Sequence, residues 1–141
     1  MLILDTDHLT EYQRGTSPEA HRLKDRLDRA TEPYATTVIT VEEIMRGWMA
    51  AIRRVNDPRR QISAYAKLQQ LFDFFACWSV LPWTDAAVDK FEALKQARTR
   101  VGTMDLKIAS IAMANTATLL SRNLSDFERV PGLRVEDWLS P

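Results

Sequence analysis

The feature that most constrains this chain is an alternation of very short apolar runs with longer amphipathic segments. Runs at residues 2–4, 35–39, 78–81, 118–120 and 133–135 have the length of buried strands and are too short to stand as helices. The stretches between them carry helical period. Val41, Ile44, Met45, Trp48, Met49 and Ile52 recur at i, i+3, i+4 and i+7 and so share one stripe of a helix. Similar stripes run through residues 62–75 and 86–97. Strands joined by helices pair in parallel, because the crossover returns each strand to the same starting edge. The sequence therefore predicts an α/β fold with a central, mostly parallel sheet of about five strands flanked by helices. Residues 1–141 read as a single domain: 45% hydrophobic content supplies a core, and no repeat, low-complexity tract or dividing linker interrupts them.

Punctuation places the acidic residues within this frame. Asn56-Asp57-Pro58 stops one helix, since proline cannot continue it and restricts the residue before it. Leu81-Pro82-Trp83-Thr84-Asp85 closes a strand and offers Thr84 as the N-cap of the next helix, and Gly102-Thr103 does the same before a helix beginning near Asp105. Several carboxylates thus fall at strand ends and helix starts. In open α/β sheets that edge is where ligands bind.

Each acid also has a local structural explanation. Asp5 ends the run Leu2-Ile3-Leu4, where a carboxylate is costly unless paired, metal-bound or exposed; it also suits an N-cap. Asp7 is a weaker site candidate and is as plausible as a cap for a helix over residues 8–12. Thr40-Val41-Glu42-Glu43 fits a capping box, and a helical projection sets Glu43 opposite the apolar stripe, toward solvent. Asp105 opens a helix of small and apolar residues, a place the helix dipole favours for any acid. Asn123 and Asp126 follow the run 118–120, and Asp126 also suits a cap for a short turn. Taken together, three or four oxygen donors delivered from separate strand ends describe a site for a hard cation such as Mg²⁺.

Other chemistries find little support. His8 and His21 have no cysteine partner nearby, which argues against zinc. Phosphate-binding glycine loops and a Gly-x-Ser-x-Gly elbow are absent. Lys plus Arg and Asp plus Glu both total 19, so attraction to nucleic acid must be local. The densest basic stretch is Arg46, Arg53, Arg54, Arg59 and Arg60, either a solvated helix face or a phosphate-contacting rim. The lone Cys77 lies in the apolar run LFDFFACWSVL and is expected to be buried, as suits a reducing cytoplasm. The start MLILDTDHL lacks the pattern of a secretory signal, and no apolar stretch approaches a membrane span, so a cytoplasmic protein without membrane association is expected.

Four segments in order resemble the PIN domain, and within it the VapC-type toxins of bacterial toxin–antitoxin pairs. They are Met1-Leu-Ile-Leu-Asp5-Thr6-Asp7, Thr37-Val-Ile-Thr-Val-Glu-Glu43-Ile-Met-Arg-Gly47, Gly102-Thr-Met-Asp105-Leu-Lys-Ile-Ala-Ser-Ile-Ala112, and Leu120-Ser-Arg-Asn123-Leu-Ser-Asp126-Phe127 on to Trp138. The likeness runs from Met1 to Trp138, with a variable middle between about residues 50 and 100. It implies a PIN-like fold and an Mg²⁺-dependent endoribonuclease, with Mn²⁺ as a substitute ion. Asp5, Glu43 and Asp105 match its metal-binding acids. The fourth position falls on Asn123, where many relatives carry Asp, with Asp126 beside it. Thr6 and Ser121 match hydroxyls near the site, and Asp7 a place that is often Asn. The resemblance also implies an RNA substrate, a cognate antitoxin protein and a homodimer.

Two other readings stay open on the sequence. Asp5-Thr6-Asp7 after an apolar strand is also how haloacid-dehalogenase-like phosphatases begin, although Leu9 stands where they expect Thr. A non-catalytic PIN-fold module that binds RNA or a protein partner is the second.

Overall fold

The computed structural model describes residues 1–141. Five short strands form the sheet: β1 (Leu2–Leu4), β2 (Tyr34–Thr37), β3 (Val80–Leu81), β4 (Thr118–Leu120) and β5 (Arg134–Glu136). Their order is β3-β2-β1-β4-β5 and every pairing is parallel. Seven helices connect and flank them: α1 (Thr6–Arg14), α2 (Pro18–Arg29), α3 (Val38–Arg53), α4 (Gln61–Ala76), α5 (Asp85–Gln96), α6 (Thr103–Ala114) and α7 (Leu124–Phe127). The α/β architecture with a parallel five-stranded sheet expected from the alternation, and the PIN-like fold that the resemblance implies, are observed. No helix is long and apolar enough to cross a membrane.

The first strand made is the central one. β1 pairs with β2 through Leu2 opposite Tyr34 and with β4 through Leu2 opposite Thr118. Both its faces are covered, which is why it reads Leu-Ile-Leu rather than alternating with polar residues. Successive side chains still point to opposite faces. Ile3 and Leu119 join a core with Leu106, Ile108, Ile111 and Phe127 under α5 and α6. Leu2, Leu4 and Leu120 join a second core with Leu9, Leu23 and Leu27 of α1 and α2 and with Leu139.

Boundaries differ from the sequence reading in instructive ways. The run 35–39 is divided: β2 stops at Thr37, whose hydroxyl accepts the Thr40 N–H as the N-cap of α3, so Val38 and Ile39 are helical. The cap therefore belongs to Thr37 and the expected capping box from Thr40 to Glu43 is not formed. Thr84 does cap α5, accepting the Ala87 N–H. The N-cap of α6 is Gly102 with no side-chain bond, so Thr103 has no capping role. Cys77 is exposed, not buried, because it lies just past the end of α4, a helix with Leu71 as its only buried residue.

Candidate active site

Between β1 and β4 the strand order reverses direction, and at such a switch point the loops beyond the strand ends diverge and leave a crevice. The backbone delivers Asp5 and Ser121 to this crevice side by side, for the Asp5 N–H donates to Leu120 O at 3.1 Å. Asp5 is the N-cap of α1, its Oδ1 accepting the His8 N–H at 2.9 Å, and is 8% exposed. Capping and a place in the site are thus the same fact: the turn that starts α1 holds this carboxylate at the end of the central strand.

Glu43 enters from the second turn of α3. Thr6 Oγ1 donates to Glu43 Oε1 at 2.8 Å, and Thr6 Oγ1 lies 3.4 Å from Thr40 Oγ1, itself 3.3 Å from Thr37 Oγ1. Three hydroxyls thus line up behind one carboxylate oxygen. Local pattern does not mark Thr37 and Thr40 as site residues; the one signal for them is the threonine-rich stretch Thr36-Thr37-Val38-Ile39-Thr40 at a strand end. Glu43 is half-buried rather than solvent-facing. Hydrophobic period misplaces it because the surface it meets is polar.

Asp105, in the first turn of α6, and Asp126, in α7, are joined by Asn123. Its Nδ2 donates to Asp126 Oδ2 at 2.9 Å and to Asp105 Oδ2 at 3.4 Å. Ser121, fully buried, accepts the Asn123 N–H through Oγ at 3.0 Å and so sets that residue. The structure brings Asp5, Thr6, Glu43, Asp105, Ser121, Asn123 and Asp126 to one crevice. It does not bring Asp7 there: Asp7 is exposed and paired with Arg122 at 3.2 Å.

No Lys or Arg pairs with Asp5, Glu43 or Asp105; Arg129 reaches only Asp126, and Arg46 only Glu42. The electrostatic result is that burial raises the Glu43 carboxyl above its ordinary 4.5. The Thr6 bond partly opposes this, while repulsion from Asp105, Asp5 and Glu42 adds to it. Asp105 is likewise raised above 3.8, by burial first and then by Asp5 and Asp126, with the Asn123 bond opposing. Clustered acids without a countercharge are what a hard cation relieves. As arranged, no three His, Cys, Asp or Glu side chains converge on one point at ligating distance. Each carboxylate rests instead on a neutral donor: Asp5 on the His8 N–H, Glu43 on Thr6, Asp105 on Asn123. The donor chemistry fits a magnesium-like ion.

A raised carboxyl stabilises the fold only while it is protonated. The contribution of Glu43 and Asp105 is fully present below 4.5 and 3.8 and is lost as pH rises through their higher folded-state values. Metal-free protein should therefore lose melting temperature from mildly acid toward neutral pH more steeply than Glu43→Gln. The comparison is needed because Glu32 and Asp137 are lowered and slope the other way. Parallel pH–Tm curves for the two proteins in chelator would show that Glu43 is not destabilised when charged.

A groove of about 840 Å³ adjoins the crevice at Thr6 and runs between α1, α3 and α4, past Arg14, Gly47, Trp48 and Lys67. The family model of the PIN domain matches residues 2–133. The chain is 27% identical over 120 residues to the tRNA(fMet)-specific endonuclease VapC of Salmonella typhimurium, covering 82% of this chain and 83% of that protein. Its fold is similar to that of VapBC-1 from nontypeable Haemophilus influenzae, with a TM-score of 0.73, 19% identity, and 99% and 98% of the two chains covered. It is also similar to a chain of a toxin–antitoxin complex from Klebsiella pneumoniae, with a TM-score of 0.69, 21% identity and 98% of each chain covered.

Proposed function

The chain belongs to the PIN domain family, and from its acidic crevice we propose that it is a divalent-metal-dependent endoribonuclease, the toxin of a toxin–antitoxin pair. The carrying observation is that Asp5, Glu43 and Asp105 stand near enough at the switch point of the sheet to repel one another, with no Lys or Arg paired to any of them. Asp5 and Asp105 would hold Mg²⁺, or Mn²⁺ in its place, with Asn123 and Asp126 supporting Asp105. When bound, the cation supplies neutralising charge and Lewis acidity toward a phosphate oxygen and water. Glu43 does the protein's own acid–base work: Thr6 fixes Oε1, and burial lifts its basicity, so that it can orient an attacking water and take its proton. Arg14 and Lys67 in the adjoining groove are suited to the RNA backbone. Arg46, Arg53, Arg54, Arg59 and Arg60 are all exposed, which suits either reading of that stretch.

An RNA substrate is supported by the name of the Salmonella relative, and an antitoxin partner by the Klebsiella complex. Met49, Ile62, Tyr65 and Phe72, exposed on α3 and α4, are apolar surface of the kind a homodimer or antitoxin covers, whereas Trp48, Phe74 and Phe75 are partly buried. The phosphatase reading is not favoured, since the second acid it needs, Asp7, is exposed and engaged by Arg122. Metal binding by wild type is what separates the nuclease from a binding-only module.

Glu43→Gln tests the reading. Gln keeps a partner for Thr6, and the helix cap is Thr37, so melting temperature should hold or rise as a buried charge is removed. RNA cleavage in Mg²⁺ or Mn²⁺ should be lost, and induced wild type, unlike the variant, should arrest growth. Wild type that neither slows growth nor cuts any RNA would overturn the toxin reading.

A further inference from the structure

His8 is a buried titratable group for which the carboxylate chemistry has no use. Its side chain is 0% exposed, lodged between Asp5 and the C-terminal segment. The Trp138 N–H, 130 residues along the chain, donates to His8 Nε2 at 3.2 Å. Nε2 therefore presents a lone pair, and the proton of the neutral ring sits on Nδ1. Nδ1 is 3.3 Å from Asp5 Oδ1, yet it is the molecule's one buried side-chain N or O atom without a hydrogen bond. That same oxygen already accepts the His8 backbone N–H. A second acid, Asp137, lies 3.8 Å from Nε2 but is occupied by the Leu139 and Ser140 N–H groups. The segment is itself anchored to α2, where Arg22 donates to Leu139 O and Arg26 to Asp137 O.

We propose that His8 is a positioning residue for Asp5, its ring held as the Nδ1–H tautomer by the Trp138 amide so that this N–H governs how the carboxylate faces the crevice. The inference rests on Asp5 being a metal ligand, as proposed above. A buried donor left without a partner is costly, and the nearest acceptor is the Asp5 carboxylate. Nδ1 and Oδ1 are already 3.3 Å apart, so a small rotation of the Asp5 carboxylate is enough to complete the bond. The C-terminal segment thereby becomes part of the site's support, and groups that hold a metal ligand in this way govern affinity nearly as strongly as the ligand itself.

The first measurement is the ring nitrogen spectrum of the intact, metal-free chain, in which His8 should show a protonated Nδ1 and a bare Nε2. The Nε2–H form would overturn the proposal. Two variants then divide the ring's two contacts. His8→Asn puts an amide nitrogen near the Nδ1 position but cannot reach Trp138, so it should bind Mn²⁺ nearly as wild type while melting lower. His8→Gln can still accept the Trp138 N–H but offers Asp5 no donor, so it should lose about 10–100-fold in Mn²⁺ affinity with the smaller change in Tm. Affinities that fall together and track Tm in both variants would reduce His8 to packing. Asp5→Asn serves as the independent arm: unchanged Mn²⁺ binding there would sink the metal-ligand reading, whereas its loss beside an intact His8→Gln would remove the positioning role alone.

Discussion

Asp5→Asn is expected to leave a folded protein that neither binds Mn²⁺ nor cuts RNA. The variant separates two roles that one side chain performs. Asn caps a helix about as well as Asp, so the bond to the His8 N–H and the start of α1 survive. What disappears is the negative charge at the end of the central strand. The loss of metal affinity should exceed the roughly 10–100-fold that changes behind a ligand produce. Asp105 should move toward its ordinary value, since repulsion from Asp5 is among the causes that raise it. Asp5→Ala would confuse the result, because a lost cap alone costs on the order of 1 kcal/mol. Calorimetric titration with Mn²⁺, a cleavage assay and a thermal melt check the three parts. Wild-type metal affinity in Asp5→Asn would remove Asp5 from the ligand set.

Asn123→Asp should weaken the metal-free protein and make its stability far more dependent on a divalent ion. Asn123 is the only donor between Asp105 and Asp126, and its Nδ2 serves both. An ionised Asp there can only accept, so two charge-assisted bonds are replaced by repulsion among three carboxylates. The cost without metal should be on the order of 1–3 kcal/mol, several degrees of Tm for a chain of this size. An added ion reverses the sign, because the new oxygen becomes a donor to it. The measurement is the rise in Tm on adding Mn²⁺ to chelator-treated protein, which should be larger in the variant. Equal rises in both proteins would place position 123 beyond the reach of any bound ion.

How much of this the sequence discloses depends on what each residue faces. Asp5 and Asp105 were legible as candidates because a strand end and a helix start are marked by local pattern, by Leu2-Ile3-Leu4 and by Gly102-Thr103. Glu43 was not legible from period, which sorts residues into core and solvent and has no class for a helix face turned toward other acids. Its partner Thr6 lies on another element, and local spacing cannot report such pairs. Resemblance to known motifs supplied what period could not. The same limit explains Cys77. An apolar run suggests burial, but the run lies largely on α4, which stands against α3 with only Leu71 fully covered. On the sequence His8 suggests only a zinc ligand, since its true neighbour, the Trp138 amide, is a backbone group 130 residues away.

The central place of β1 orders events during synthesis. The strand made first needs β2 on one side and β4 on the other, and β4 begins only at Thr118. At the usual pace of about 5–20 residues per second, Asp5 leaves the ribosome well before Asp105 and Asn123 exist. The Trp138 amide that meets His8 comes later still. A nascent or truncated chain thus carries the first acid of the crevice without the others. For a protein whose proposed activity would destroy RNA, this topology withholds the complete site until β4, α7 and the segment that holds His8 have all been made.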